Sequence, residues 1–387
     1  MKFNQPVEIS MLLMACTLDA STDKQAQVSQ LVTQHPPDWN RLHQLATRHR
    51  LLPFLYRTLR DVSTVPKAFL TTLQQDCRVI ATDNLLKLHQ YQLLDELLTE
   101  NAIDHLPLKG IRLAQRSYPD SSLRSSGDLD VLIRKEDVPK TVQLLQAHEY
   151  RLNPQHKVHW QKAQQRIFTD LYEVSLVKPF FNGSHFDLDL HWQIVGFNKH
   201  YASFDLAYVR SEPTFTIEHE VVLLVLHHGV TNIWQQIYYI NDLYFLLTEK
   251  PIDWAWLMQE FRKFGLERVF LAGLYWCQQI WSIKLPPFMQ ELVASAEVAS
   301  LVNAYASNWN TEQPYDYSRL IARQLFFFQK AQSQVETQLK IYRTFLSSRL
   351  FRYSLFKVGN RLFYVPPKAG ILTIFVRAIQ SLLRFQQ

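Results

Sequence analysis

The sequence predicts an α+β protein. A mixed α/β core over about 101–198 lies between helical regions at 1–100 and 199–335, and a basic tail at 336–387 follows. Three observations carry this. Apolar residues recur at helical spacing on both sides of the core, whereas from Ile103 the pattern shortens to strand-like runs. Two of those runs carry pairs of aspartates at i, i+2. The whole chain holds only nine glycines, as expected of a mainly helical protein with few tight turns.

In the first region, Trp39, Leu42, Leu45 and Ala46 follow Pro36-Pro37-Asp38, so Asp38 is placed to cap a helix. His49 and Trp39 read as half-buried helix residues. A second helical stretch, about 67–99, carries Leu70, Leu73, Leu85, Leu86, Leu88, Leu93 and Leu94 and reads as scaffold.

The core opens with a strand at 103–108, a Lys109-Gly110 turn and a helix to about Tyr118. A loop at 119–127 leads to a strand at 128–133, after which Asp137 and Pro139 open a helix as cap and first-turn residue. In a strand, Asp128 and Asp130 share one face, and two carboxylates aimed at one spot repel unless a cation lies between them. Oxygen ligands of this kind suit Mg²⁺, and the competing reading is a solvated turn. Arg124 in the loop is either a solvated arginine or a planar clamp for phosphate oxygens.

Asn182-Gly183 predicts a tight turn joining strands at 166–177 and 184–194. The second reads His185-Phe186-Asp187-Leu188-Asp189-Leu190-His191-Trp192, with every polar residue on one face. Aspartate is depleted in strands, so an acidic strand face points to an active site. His191 is open to three uses: orienting a carboxylate, touching substrate, or packing. Zinc held jointly by His185 and His191 is excluded, because strand histidines six apart lie about 20 Å from each other.

From Glu218 helical spacing returns, with His227-His228-Gly229, Trp234 and Asn241-Asp242-Leu243. His227, His228 and Asp242 are candidates for the cleft or for helix caps. Residues 250–335 are aromatic-rich helices. After Glu336 there are nine basic residues and no acidic one, so a net charge of +6 leaves the rest of the chain at −3 (+6 less 9). No nucleic-acid-binding surface is indicated for the body. The tail, with a last helix at about 371–385, reads either as a peripheral membrane or protein contact or as a docked terminal helix. Three scattered cysteines argue against a disulfide framework and favour a reducing cytoplasm, and no transmembrane span or secretory signal is expected.

Leu108-Lys109-Gly110-Ile-Arg-Leu-Ala, Tyr118-Pro119-Asp120, Leu123-Arg124 and Gly127-Asp128-Leu-Asp130-Val-Leu-Ile resemble the nucleotidyltransferase family of bacterial polysaccharide and natural-product loci. That family lies within the polymerase-β-like nucleotidyltransferase superfamily. The resemblance extends to Asp38-Trp39 through Tyr56, to Asp189-Leu-His191-Trp192 and to the spacing of His228, Trp234 and Asp242-Leu243. It implies a polymerase-β-like core and transfer of a nucleoside monophosphate from an NTP, such as ATP, to an acceptor hydroxyl. It also implies Mg²⁺ or Mn²⁺ held by Asp128, Asp130 and Asp189, with Asp187 competing for the third place. Lys109, Gly110 and Arg124 are then the nucleotide-binding residues. The superfamily's Gly-Ser or Gly-Gly turn is replaced here by Lys109-Gly110, a habit of this family. A catalytically inactive binding or regulatory module on the same fold is the alternative from a different class.

Overall fold

A computed structural model describes residues 5–17, 22–162, 164, 167–168, 171–180, 185–195, 203–210, 216–306, 309–311, 330–332, 334–350, 354–358, 361–365 and 369. The Asn182-Gly183 turn and the expected helix at 371–385 lie outside the described residues. The chain divides into two compact units that alternate along the sequence. The first gathers 1–100, 107–129 and 212–333, and the second gathers 101–106, 130–211 and 334–387.

The second unit is built on a five-stranded mixed sheet in the order β1-β2-β5-β4-β3. These strands are β1 (His105–Pro107), β2 (Leu129–Ile133), β3 (Arg151–Leu152), β4 (Glu173–Pro179) and β5 (His185–His191). Every residue of β2 is buried, in keeping with its interior place between β1 and β5 and its run of aliphatic side chains. In β5, Phe186, Leu188 and Leu190 are buried on the apolar face, so the expected alternation is realised. β4 and β5 pair antiparallel, which sets Glu173 opposite His191, Ser175 opposite Asp189 and Val177 opposite Asp187. The first strand of this pair starts at Glu173 rather than near 166. Asp137 does not cap the helix Val138–Ala147. It ends a short 3-10 turn, Lys135–Asp137, and only Pro139 serves in the first helical turn. The tail contains the helix Val335–Leu350 and a hairpin of β6 (Ser354–Val358) and β7 (Arg361–Val365), which the sequence pattern did not suggest.

The first unit is helical. Asp38 caps Trp39–Arg48 by accepting from the amides of Asn40 and Arg41. His49 is fully buried, not half-buried. Its Nδ1 accepts from the Ile237 amide at 3.1 Å and its Nε2–H donates to the Trp309 carbonyl at 2.8 Å. Trp39 is half-buried and meets Phe69. Helix Lys67–Glu100 is long, and its Asn84 and Lys87 reach the 121–127 loop. Helix Ile217–Val225 runs into a π-helical turn, Leu226–Thr231, and the helix Ile237–Glu249 follows. Gly229 is required in that turn. A Cβ there would lie 2.6 Å from Val269 Cγ1 and 3.0 Å from the Trp234 ring.

Candidate active site

The acidic face of β5 grades from exposed His185 and Asp187, through half-buried Asp189, to buried His191. At its buried end His191 Nε2 donates to Asp130 Oδ1 at 2.9 Å, from one central strand to its neighbour. Asp130, Asp189 and His191 each offer a ligand atom, and these atoms lie within 4.8 Å of one another. Glu173 adds a third carboxylate, 3.3 Å from His191 Nδ1, because the β4–β5 register sets it directly across from that ring.

The charges act on one another at close range. Burial raises the Asp189 carboxyl to about 7, with Glu173 and Asp130 adding repulsion against the help of Ser175 and His191. Burial alone would depress His191, but Glu173 and the hydrogen-bonded Asp130 outweigh it and lift the imidazole to about 9. Three carboxylates around one imidazole make an oxygen-rich, negatively charged set, which fits a divalent cation, with His191 holding Asp130 by its Nε2–H. Asp187 does not join the cluster. It is exposed and pairs with His185 at 3.4 Å. Asp128 is exposed in the bend that precedes β2.

The helical unit holds a second polar constellation. Lys109 and Gly110 both take positive φ, +29° and +57°, where the chain turns into the helix Gly110–Ser117. Positive φ is costly for lysine, and such strain persists where the surroundings enforce it. Lys109 Nζ lies 2.5 Å from His227 Nε2, His227 Nδ1 lies 2.8 Å from His228 Nδ1, and His228 Nε2 lies 2.9 Å from Asp242 Oδ2. One proton arrangement satisfies all three contacts. Asp242 is ionised and only accepts, so His228 donates from Nε2. His228 then accepts from His227 Nδ1–H, and His227 Nε2 accepts from the lysine ammonium. Burial, with the charges of Lys109 and Arg124, depresses His228 to about 4 against the pull of Asp242, in agreement with two neutral imidazoles in series.

Asp242 is fully buried and also receives Arg124 Nε and Nη2, each at 2.8 Å, and the Tyr118 hydroxyl at 2.5 Å. Burial opposes its charge, but the Arg124 and His228 contacts prevail and hold its carboxyl well below the usual range. Arg124, expected from the sequence at phosphate, thus spends its fork on an internal carboxylate. The loop that carries it is fixed by Asn84, which donates to the Arg124 carbonyl and accepts from the Ser126 amide, and by Lys87 on the Ser126 carbonyl.

Three contributors were not singled out in the sequence, and a fourth, Tyr118, stood there only within the family motif without a role. Glu173 and Ser175 depend on strand register, Tyr118 on the fold of the 118–127 segment, and Asn84 on a helix distant in sequence. Only the register had a local signal, the Asn182-Gly183 pair in the sequence.

Residues 35–282 match the model of a family described as "Uncharacterised nucleotidyltransferase". The chain belongs to this family. The match takes in both acidic strands, the Lys109-Gly110 turn and the His227–Asp242 segment of this nucleotidyltransferase-family protein, and it ends before the basic tail. No curated protein and no solved structure matches the chain. Among the described residues no helix is long and apolar enough to cross a membrane.

Proposed function

We propose that this chain is a divalent-metal-dependent nucleotidyltransferase that moves a nucleoside monophosphate from an NTP to the hydroxyl of a small molecule, a sugar or a protein. The new O–P bond forms at the α-phosphorus as the α–β phosphoanhydride breaks and pyrophosphate leaves. The observation that carries this reading is the buried Asp130–His191–Asp189 cluster in a member of a nucleotidyltransferase family. Asp130 and Asp189 are the carboxylates that would hold Mg²⁺ or Mn²⁺, with Asp128, two residues before Asp130, as the third. When bound, the metal supplies Lewis acidity that acidifies the attacking hydroxyl and braces the triphosphate.

The remaining roles belong to the chain itself. His191 fixes the Asp130 carboxylate by its Nε2–H, as partners of metal ligands commonly do. The Lys109-Gly110 turn brings an ammonium and the first amides of a helix to the phosphates. His227, His228 and Asp242 position that ammonium, and Arg124 secures Asp242 from behind. Cys16, Cys77 and Cys277 are all free thiols, in keeping with a cytoplasmic enzyme. The basic tail is a candidate for peripheral contact with a membrane or a protein.

The test is incubation with each labelled NTP, Mg²⁺ or Mn²⁺ and cell extract. Label should pass to a product with pyrophosphate release, and Asp130→Asn and Asp189→Asn should abolish the transfer while remaining folded. A chain that binds metal and nucleotide but transfers nothing under any combination is a binding module instead.

A further inference from the structure

Arg50 is a cation of the helical unit with no ion pair among the described residues. It follows the helix Trp39–Arg48 and its cap His49 in the left-handed region, at φ 54°. The Arg50 amide donates to the Thr47 carbonyl and the Leu51 amide to the Ala46 carbonyl, the paired bonds of a Schellman motif. The residue at this position is ordinarily glycine, because a Cβ is strained there. An arginine held in a conformation that favours glycine points to a use for its side chain.

That side chain has a defined seat. Its guanidinium carbon lies 5.1 Å from the centre of the Tyr238 ring, a cation–π contact. Its Nη1 and Nη2 each lie 3.2 Å from where a Cβ on Gly127 would stand, so the absent side chain at 127 makes room for the guanidinium. Gly127 is followed directly by Asp128. Arg124 lies over the same tyrosine, at 5.8 Å, but its charge is neutralised by Asp242. Arg50 is half-buried, and among the described residues no carboxylate lies within ion-pair distance of it. A partly desolvated guanidinium, stacked on an aromatic ring and with no carboxylate partner among the described residues, is suited to an anionic ligand that can take its fork in bidentate fashion.

We propose that Arg50 is the arginine that grips the triphosphate of the incoming nucleotide, a role that rests on the nucleotidyltransferase reading above. Gly127 and Tyr238 are its positioning residues: one leaves the space, and the other supplies the stacking surface. Arg124 holds the loop from within and does not meet the phosphates.

The experiment is calorimetric binding of ATP, GTP, CTP and UTP, each with Mg²⁺, to the full chain and to Arg50→Gly, Arg50→Gln and Arg50→Lys. Arg50→Gly relieves the backbone strain and so is expected to fold. Arg50→Gln removes the charge while keeping a long polar side chain. Both should weaken the bound NTP at least tenfold and leave Mn²⁺ affinity, measured without nucleotide, unchanged. Arg50→Lys should recover part of the loss. A loss smaller than tenfold in either neutral variant, with the wild type binding normally, overturns the role of Arg50 and leaves the nucleotidyltransferase reading standing. A wild-type chain that binds none of the four nucleotides overturns both.

Discussion

Arg124 and Asp242, 118 residues apart in the chain, meet through two hydrogen bonds of 2.8 Å in a fully buried setting. Breaking such a pair by removing one partner leaves a buried charge uncompensated, which costs about 3–5 kcal/mol. Arg124→Ala is therefore expected to lower the unfolding free energy by that amount in urea titrations. Arg124→Lys should recover only part, since an ammonium cannot reproduce the two-pronged contact. Unchanged stability with lost nucleotide binding would return Arg124 to the phosphates.

His191 is expected to act through Asp130. His191→Ala should weaken Mn²⁺ binding about 10–100-fold, the range found when a partner of a metal ligand is removed. Asp189→Asn, which deletes a proposed ligand, should do so more strongly. Isothermal titration with Mn²⁺ on both variants gives the comparison, and equal affinity in His191→Ala and wild type would reduce the histidine to packing.

Stability should fall as the solution is acidified from about pH 6.5 towards 4. Burial depresses His228 to about 4 and His49 to about 3 in the folded chain, whereas both titrate near 6.5 when unfolded. At these two histidines the unfolded chain binds the extra protons in that window, so each withdraws on the order of 3 kcal/mol as pH drops, while Asp189, raised to about 7 when folded, offsets one of them. His191 has the opposite sign. Its folded value, raised to about 9, contributes stability that is complete below 6.5 and lost as pH climbs through 9. Denaturant midpoints from pH 4 to 10 should pass through a maximum, and His49→Gln should flatten the acid limb.

Gly229→Ala should destabilise the helical unit by roughly 1–3 kcal/mol, because its methyl would overlap Val269 in a packed core. The π-helical turn carries His227 and His228, so the same substitution should also disturb the contact with Lys109. Thermal melts alongside the histidine NMR signals would separate packing loss from loss of the Lys109–His227 contact, and a melting point equal to wild type would show that the turn can yield.

The sequence by itself determined what local geometry controls. Alternation over His185–Trp192 follows from the two-residue period of a strand, and it identified the acidic face before any partner was known. Helical spacing placed the flanking helices, and Asp38 announced its own cap. Tertiary structure alone decided which polar groups meet. The β4–β5 register set Glu173 against His191, and packing around Tyr238 gathered Arg50, Arg124 and His228 from three distant segments. An arginine looks the same in sequence whether its charge is cancelled by a buried carboxylate or left for a ligand. Only the long-range pairing with Asp242 separates Arg124 from Arg50, because burial and counter-charge are properties of the packed chain and not of the residue.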